Sequence, residues 1–336
     1  MVTIKEVAAR AGVSTAVVSA AISGAQGTIR MSEATRERVE RAIAETGYRA
    51  NHAAKSLSLS RSGVIAAVVP KIANPIFELA IRGMQDAAEA DGDVLLLADA
   101  LWIEPGSHLM SRIAGTGMVD GFLLRTTDWG SETAEELTSR SIPFVILQTP
   151  IDGGPVAVWV DDRAGIDLAT SRLLDQGHRR IALIGGPTGG PTSDGRIDGY
   201  RDAMRRAQVR ADLTLVRQVG YEPSDVGAET HRLLTSVEPP TALIIDNVVA
   251  APGALAAITD LGIRVPEELS LIVYHDLPLA DSLRPAPTTV RMPVFEAGRR
   301  GYLALRRLID GKPARSTTIA RPAPKLIDRG SVGPLR

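Results

Sequence analysis

Seven short apolar runs follow one another after residue 63, and this recurrence restricts the possible folds more than any other feature. Stretches with helical spacing separate most of the runs, which are VIAAVV (64–69), DVLLLA (93–98), GFLLR (121–125), PFVILQ (143–148), RIALIG (180–185), TALII (241–245) and LSLIVY (269–274). Short apolar strands that alternate with amphipathic helices are typical of parallel sheets covered on both faces. The sequence therefore predicts an α/β fold with parallel doubly wound sheets. Such sheets bind ligands beyond the carboxyl ends of their strands.

The first 60 residues have a different pattern, with three short predicted helices. Thr3 and Glu6 form a capping box, and Gly12 is placed to end the first helix. Ser14 and Ser32 can cap the second and third helices. Two short helices joined through a glycine and braced by a third are typical of a helix-turn-helix, whose second helix enters the major groove of DNA. A small helical bundle without a ligand has the same spacing, so both interpretations stay open at this point.

Charge and composition narrow the function classes. The whole chain has a net charge of −1, whereas residues 1–60 carry eight Lys or Arg against five Asp or Glu. A basic head on an acidic body favours an anionic partner at the N-terminus. The chain has no cysteine, which excludes disulfides and thiolate chemistry and suits a reducing compartment. A cleaved signal peptide is a rival interpretation of residues 1–29, but Glu6 lies where such a segment is cationic.

Enzyme chemistry finds little support. The five histidines show no paired metal-ligand spacing, and the segment GGPTGGPTSDG lacks the Lys-Ser/Thr of a phosphate-binding loop. The Asp161-Asp162 pair stands at a predicted helix start and is best explained as capping. We therefore expect a protein that is not an enzyme and that needs no cofactor or metal.

The head resembles the lactose-repressor (LacI/GalR) family of transcription regulators. This chain has TIKEVAARAGVSTAVVSAAISG and then MSEATRERVERAIAETGYRANHAAKSL, against a family opening of the form TIKDVA..AGVS..TVSRVLNG and VSEETRERV..AI..LGY.PN..AR.L. The resemblance implies a dimeric operator-binding headpiece and a hinge helix near residues 51–58, where Leu57 would wedge into the minor groove. The DNA contacts it implies are made by Thr3, Ser14, Thr15, Ala16, Ser19, Ala20, Asn51, Lys55 and Leu57.

The head departs from the family where bases are read. The Thr and Arg of the family's TVSR are Val17 and Ala20 here. Arginine is the common bidentate partner of guanine, and alanine cannot form a hydrogen bond to any base. We therefore expect contacts with thymine methyl groups, the hinge and DNA deformability to carry more of the specificity.

The resemblance continues through the body. NPIFELAIRGMQDAAEADG, DDRAGIDLATSRLLDQGHRRIALIGGP, RIDGYRDAM, RVPEELSLIVYHD and RPAPTTVRMP fit family segments. They imply a periplasmic-binding-protein-like (type I) domain of two lobes, crossed by the chain near Val160, Val290 and Arg321, with a small-molecule effector in the cleft. The effector contacts placed by the resemblance, or next to those segments, are Phe77, Arg125, Gln148, Arg196, Tyr221, Asn247 and His275.

Two departures concern the effector. His275 replaces the first aspartate of the family's GYDD, and Gln148 stands where sugar-binding members commonly have a carboxylate. We therefore expect a cleft that is poor in acidic groups but keeps the positive charge of Arg196. Such a cleft favours a ligand with an acid or phosphate over a neutral sugar. An imidazole with an ordinary pKa of about 6.5 would also strengthen anion binding as the pH falls towards 6. A drifted pocket with an unusual effector is the alternative.

Together these features predict a cytoplasmic, homodimeric repressor that binds a pseudo-palindromic operator and responds to a sugar-like or anionic metabolite. We expect a headpiece at 1–50, a hinge and linker at 51–62 and an effector and dimerisation domain at 63–336. The N-lobe would span about 63–160 and 291–320, and the C-lobe about 161–290 and 321–336. The runner-up is a secreted solute-binding protein with a cleaved N-terminal segment.

Overall fold

The computed structural model describes residues 2–23, 31–48, 61–103, 106–125, 130–148 and 154–335. Contacts within the chain divide it into two compact units, Met1–Gly63 and Val64–Arg336. Each unit has its own hydrophobic core, and each is described by itself below.

The described residues of the first unit form three helices, α1 (Ile4–Ala11), α2 (Thr15–Ser23) and α3 (Glu33–Thr46). The Glu6 carboxylate accepts a hydrogen bond from the Thr3 backbone amide over 3.3 Å, and Gly12 ends α1 with φ 64°, which glycine adopts at no steric cost. The Ser32 side chain accepts from the Thr35 amide at the start of α3. The three predicted helices of the head are therefore present with their predicted caps.

The core of this unit is small. Val7, Val18 and Val39 are completely buried, one from each helix, and Ala8, Ala11 and Ala42 fill the space between them. On the surface of this unit, Arg10 of α1 forms an ion pair with Glu45 of α3, with 2.6 Å between Nε and Oε2. Val17, Val18, Ala21 and Ile22 of α2 pack on this core, so Thr15 and Ser19 are left on the exposed face.

In the second unit, the described residues form three sheets. A four-stranded sheet has the order β2-β1-β3-β4, a six-stranded sheet the order β12-β10-β9-β8-β6-β7, and β5 pairs with β11. All the pairings are parallel except that of β10 with β12. The strands are β1 (Val64–Val69), β2 (Val94–Asp99), β3 (Gly121–Leu124), β4 (Phe144–Ile146), β5 (Val158–Val160), β6 (Ile181–Ile184), β7 (Val216–Arg217), β8 (Ala242–Ile245), β9 (Ser270–Tyr274), β10 (Thr288–Arg291), β11 (Thr317–Ile319) and β12 (Lys325–Ile327).

Helices lie between most of these strands. They are α4 (Glu78–Asp91), α5 (His108–Gly115), α6 (Gly130–Ser139), α7 (Asp162–Asp175), α8 (Pro191–Arg206), α9 (Pro223–Leu234), α10 (Ala251–Asp260), α11 (Pro278–Ser282) and α12 (Val294–Ile309), with 3₁₀ turns at Pro75–Phe77, Ala100–Trp102 and Leu213–Leu215. The predicted parallel α/β fold is thus confirmed, and each of the seven apolar runs contains a strand. The strands without a separate prediction, β5, β7, β10, β11 and β12, are short.

Glycine sets the closeness of helix packing within each lobe. A Cβ on Gly298 of α12 would lie 2.0 Å from the Ala80 carbonyl oxygen of α4, and one on Gly83 would lie 2.0 Å from the Phe295 carbonyl oxygen. A Cβ on Gly199 of α8 would likewise lie 2.2 Å from the Arg163 carbonyl oxygen of α7. Neither pair of helices could keep this separation with a larger residue at the contact, because the obstacle is backbone.

Contacts also join the two lobes. Lys71, which follows β1, forms an ion pair with Glu222 at the start of α9, with 2.5 Å between Nζ and Oε1. Ile76 and Leu79 pack against the core beneath β8 and β9. Separation of the lobes would therefore break this exposed ion pair and uncover these apolar contacts. Within the described ranges, every helix is too short or too polar to traverse a lipid bilayer.

Candidate functional site

The exposed face of α2 is formed by small polar and apolar side chains. Thr15, Ala16 and Ser19 are exposed and Ala20 is half-buried, whereas Val18 faces the core. Ser14 is exposed and its hydroxyl accepts from the Val17 amide over 3.4 Å, so part of its hydrogen-bonding capacity caps the helix. Thr3 is also exposed. The face offers hydroxyl and methyl groups of the kind that can contact base edges.

Three of the predicted DNA contacts cannot be placed. Asn51, Lys55 and Leu57, with the predicted hinge helix, lie outside the described residues. Their roles stay predictions.

In the second unit, polar side chains gather where the strands end. Arg125 follows β3, Asp246 follows β8 and His275 follows β9, while Asp162 lies on the first turn of α7 and Arg196 on the second turn of α8. The carboxyl ends of parallel strands meet at one edge of a sheet, and here the end of β3 in one sheet and the ends of β8 and β9 in the other contribute groups to the same cluster. We call Arg125, Asp162, Arg196, Asp246 and His275 the cleft cluster.

Arg196 is the centre of the cleft cluster and is only 4% exposed. Its Nε donates to Asp162 Oδ1 over 2.9 Å, and its Nη1 donates to the Asp246 carbonyl oxygen over 2.8 Å. The Asp246 carboxylate lies 3.5 Å from the same Nη1, and the guanidinium carbon is 4.4 Å from the centre of the Tyr274 ring. Burial lowers the pKa of Arg196, but Asp162, Tyr221 and Asp246 outweigh it and raise that pKa well above its ordinary value.

A second arginine faces this group from the other lobe. Arg125 is half-buried and donates to Gln148 Oε1 over 2.8 Å, so the predicted pair of N-lobe residues is in direct contact. Burial lowers the pKa of Arg125, and the charges of Asp162 and Arg196 are close enough to affect it in opposite directions. The two arginines and two carboxylates of the cluster therefore nearly balance in charge.

His275 lies in the cluster but behaves differently from the prediction. Its ring packs edge-on against Tyr274 with 4.6 Å between centroids, its Nδ1 is buried without a partner among the described residues, and its φ is 71°. Burial, then Arg196 and Arg125, lower the pKa of His275 well below 6.5. The expected pH response of an ordinary imidazole near pH 6 is therefore wrong, because this ring is neutral throughout that range.

The remaining predicted contacts are less directly joined to the cluster. Asn247 is completely buried, with its Oδ1 accepting from the Val249 amide over 3.0 Å and its Nδ2 without a described partner. Tyr221 lies near Arg196, Asp246 and Arg125, and burial raises its pKa. Phe77 is 8% exposed at the end of its 3₁₀ turn, and no described contact joins its ring to the cluster.

The expectation of an acid-poor cleft is also wrong. Asp161 does cap α7 by accepting from the Ala164 amide over 2.9 Å, but Asp162 binds Arg196 instead of capping. Asp246 was not predicted at all, although its position directly after a strand is the signal that could have found it. Asp276 stands at the second aspartate of the family's GYDD pattern. It forms ion pairs with Arg291 and Arg329 and stabilises the C-lobe.

A small cavity lies within the C-lobe beside the cleft cluster. It has about 10 Å³ between β6, β7 and α8 and is lined by Arg196, Asp246 and Gln218, among others, and a volume of that size holds about one water. This cavity alone is therefore too small for a metabolite. Among the described residues, no group of three His, Asp or Glu side chains is placed to hold a metal ion.

Family models match most of the chain. Residues 3–51 match the model described as bacterial regulatory proteins, lacI family, and residues 170–332 match the model of a periplasmic binding protein-like domain.

Full-length relatives support the same grouping. The chain is 30% identical over 338 residues to the HTH-type transcriptional repressor PurR of Vibrio atlanticus (strain LGP32), covering 99% of both chains. It is also 30% identical over 331 residues to the HTH-type transcriptional repressor CytR of Escherichia coli (strain K12), covering 98% of this chain and 96% of that one. The structure titled transcriptional regulator CelR-cellobiose complex superposes with a TM-score of 0.72 and 30% identity, covering 98% of this chain and all of the other.

Proposed function

The chain belongs to the lacI family of bacterial regulatory proteins, and on that premise we propose how it works as an effector-controlled transcriptional repressor. The head binds operator DNA through α2, and a small molecule binds at the cleft cluster. The relatives are repressors and not enzymes, and this chain is a regulator of the same kind. A DNA-reading helix and a two-lobed ligand domain in one polypeptide carry the proposal.

We propose that the domain boundaries are those that the sequence predicts. Residues 1–50 form the headpiece, 51–62 the hinge and linker, and 63–336 the effector and dimerisation domain, and the contact boundary between Gly63 and Val64 supports that division. The lobes comprise about 63–160 with 291–320 and about 161–290 with 321–336. The protein acts in the cytoplasm, where its operator is found.

We propose that the head reads DNA mainly by shape and methyl contact. Thr3, Ser14, Thr15, Ala16, Ser19 and Ala20 face the operator, and Asn51, Lys55 and Leu57 act at its centre. Because Ala20 replaces a base-reading arginine, direct hydrogen bonds to guanine from this position are absent. Two heads on a two-fold axis require a pseudo-palindromic site.

Effector binding is proposed at Arg125, Gln148, Arg196, Tyr221, Asn247 and His275, with Phe77 at the rim. Hydrogen bonds from the arginines, Gln148 and Asn247 suit a ligand rich in hydroxyl groups. Structural neighbours include complexes with cellobiose and ribose, which supports a sugar-like ligand here. Binding would change the separation of the lobes and so bias the hinge and dimer interface.

Operator selection tests the DNA-binding proposal. The full chain is mixed with a library of random-sequence duplexes, and bound duplexes are amplified and sequenced over several rounds. We expect enrichment of a two-fold symmetric motif with half-sites about one helical turn apart. Enrichment of no motif, or of an asymmetric single half-site only, would refute a dimeric operator-binding protein.

A further inference from the structure

Asp246 is a buried carboxylate whose hydrogen-bonding capacity is only partly used. It directly follows β8 and is 3% exposed. Its backbone carbonyl accepts from Arg196, and Oδ2 lies 3.5 Å from the same guanidinium, but Oδ1 has no hydrogen-bond partner among the described residues. A buried acceptor without a partner costs free energy.

The fold makes room for this carboxylate with two glycines. Gly185 and Gly186 follow β6 with φ of 134° and 62°, in the region that favours glycine. A Cβ on Gly185 would lie 1.9 Å from Asp246 Oδ1, and one on Gly186 would lie 3.0 Å from Oδ2. Only bare backbone therefore fits beside the carboxylate, and the small cavity next to it is bounded by Ser193 and Gln218.

The charged and titratable groups around Asp246 come from α7, α8, β7 and the loop that follows β7. Arg196 of α8 attracts the carboxylate, Asp162 of α7 repels it, and Tyr221 lies close by. Arg217 of β7 lines the same cavity but is held by Glu229, with 2.5 Å between Nε and Oε1. Burial raises the pKa of Asp246 to about 6, because Arg196 and a hydrogen bond from the Gly186 backbone compensate the loss of solvent only in part.

We propose that Asp246 is a specificity-determining residue of the effector cleft, where Oδ1 accepts a hydrogen bond from a hydroxyl or amine of the ligand. This inference rests on the proposed effector site. The donor group satisfies the Oδ1 atom, which has no partner among the described residues, whereas an anionic group at this position meets two carboxylates, Asp162 and Asp246. The ligand is therefore neutral or cationic at the end that reaches Arg196.

Ligand binding is therefore coupled to the protonation of Asp246. A ligand donor favours the ionised carboxylate, so binding releases a proton wherever Asp246 is protonated. With a pKa of about 6, some nine-tenths of the carboxyl is protonated at pH 5 and one-tenth at pH 7, so affinity rises roughly tenfold between those values. His275 contributes nothing to this rise because it stays neutral.

Asp246→Asn tests the proposal, with Asp198→Asn as the matched control on the exposed side of α8. Asp198 is half exposed and forms a surface ion pair with Arg201. Thermal unfolding is measured without ligand at pH 5 and pH 7.5. Since the pKa of Asp246 is raised on folding, its favourable contribution is present at low pH and is lost as the pH rises through about 6. We expect Asp246→Asn to raise the midpoint by several degrees at pH 7.5 and by less at pH 5, and Asp198→Asn to change neither.

The chemical class is tested with three matched hexoses, D-glucose, D-glucosamine and D-glucuronate, as thermal-shift probes on wild type and both variants. We expect the neutral or cationic probe to stabilise wild type most and to lose that effect in Asp246→Asn only. A lower midpoint of Asp246→Asn at pH 7.5 would overturn the proposal, since Asp246 would then be a satisfied partner of Arg196. A preference of wild type for glucuronate, or no shift with any probe, would also overturn it. Operator binding by the same samples shows separately whether the repressor function itself fails.

Discussion

Protein that begins at Arg61 should bind the selected operator at least about 1,000-fold more weakly than the full chain, because specific binding exceeds non-specific binding by that factor or more. The head carries the exposed face of α2, with Thr15, Ala16 and Ser19. It also has a core of its own around Val18, so its removal takes no residue from the cores of the second unit. Fluorescence anisotropy with a labelled operator measures the loss.

The truncated protein must also stay folded for that result to count. Its thermal midpoint and its size by gel filtration should match those of a folded dimer.

Binding by the full chain should weaken steeply with salt, because phosphate contacts release counterions. Undiminished operator binding by the truncated protein, or binding by the full chain that is independent of salt, would place DNA recognition elsewhere.

Arg196→Met should destabilise the second unit by about 3–5 kcal/mol, the cost of removing one partner from a buried charge pair. Methionine keeps much of the volume but leaves the carboxylates of Asp162 and Asp246 without their common partner. For a domain of this size the thermal midpoint should fall by roughly ten degrees. The loss should be largest above pH 6, where Asp246 is ionised, and smaller at pH 5.

Arg201→Met is the matched control for that variant. Arg201 lies on the same helix and its side chain is about half exposed beside Asp198. Exposed ion pairs contribute about 1 kcal/mol or less, so its midpoint should barely move. Equal midpoints for the two variants would show that Arg196 does not hold the cleft cluster together.

The sequence was sufficient for the fold because local pattern and global fold agree. The runs VIAAVV and LSLIVY are apolar throughout, as strands covered on both faces must be, and β1 and β9 lie within them. The Gly12 and Ser32 signals identified the helix ends of the head for an equally local reason. Strand β7 has only two residues, Val216–Arg217, which is too short for any periodicity to detect.

The cleft was only partly predictable because its chemistry depends on contacts between distant segments. Arg196 could be identified from its motif, but nothing local shows that it binds Asp162 and the Asp246 carbonyl, 34 and 50 residues away. The prediction of an acid-poor cleft considered only the replaced positions Gln148 and His275. It overlooked Asp246, the carboxylate that follows β8. The low pKa of His275 likewise comes from burial and from Arg196 and Arg125, which the sequence does not place beside it.

Coupling between the cleft and the operator is the central claim, and one titration tests it most directly. The compound that raises the thermal midpoint most in a screen of sugars, acids and phosphates is added at saturation to the full chain with its selected operator. We expect the operator dissociation constant to change by at least about fivefold, and the operator to change the affinity for the compound by the same factor. An operator dissociation constant that stays within twofold while the compound saturates the cleft would contradict the account.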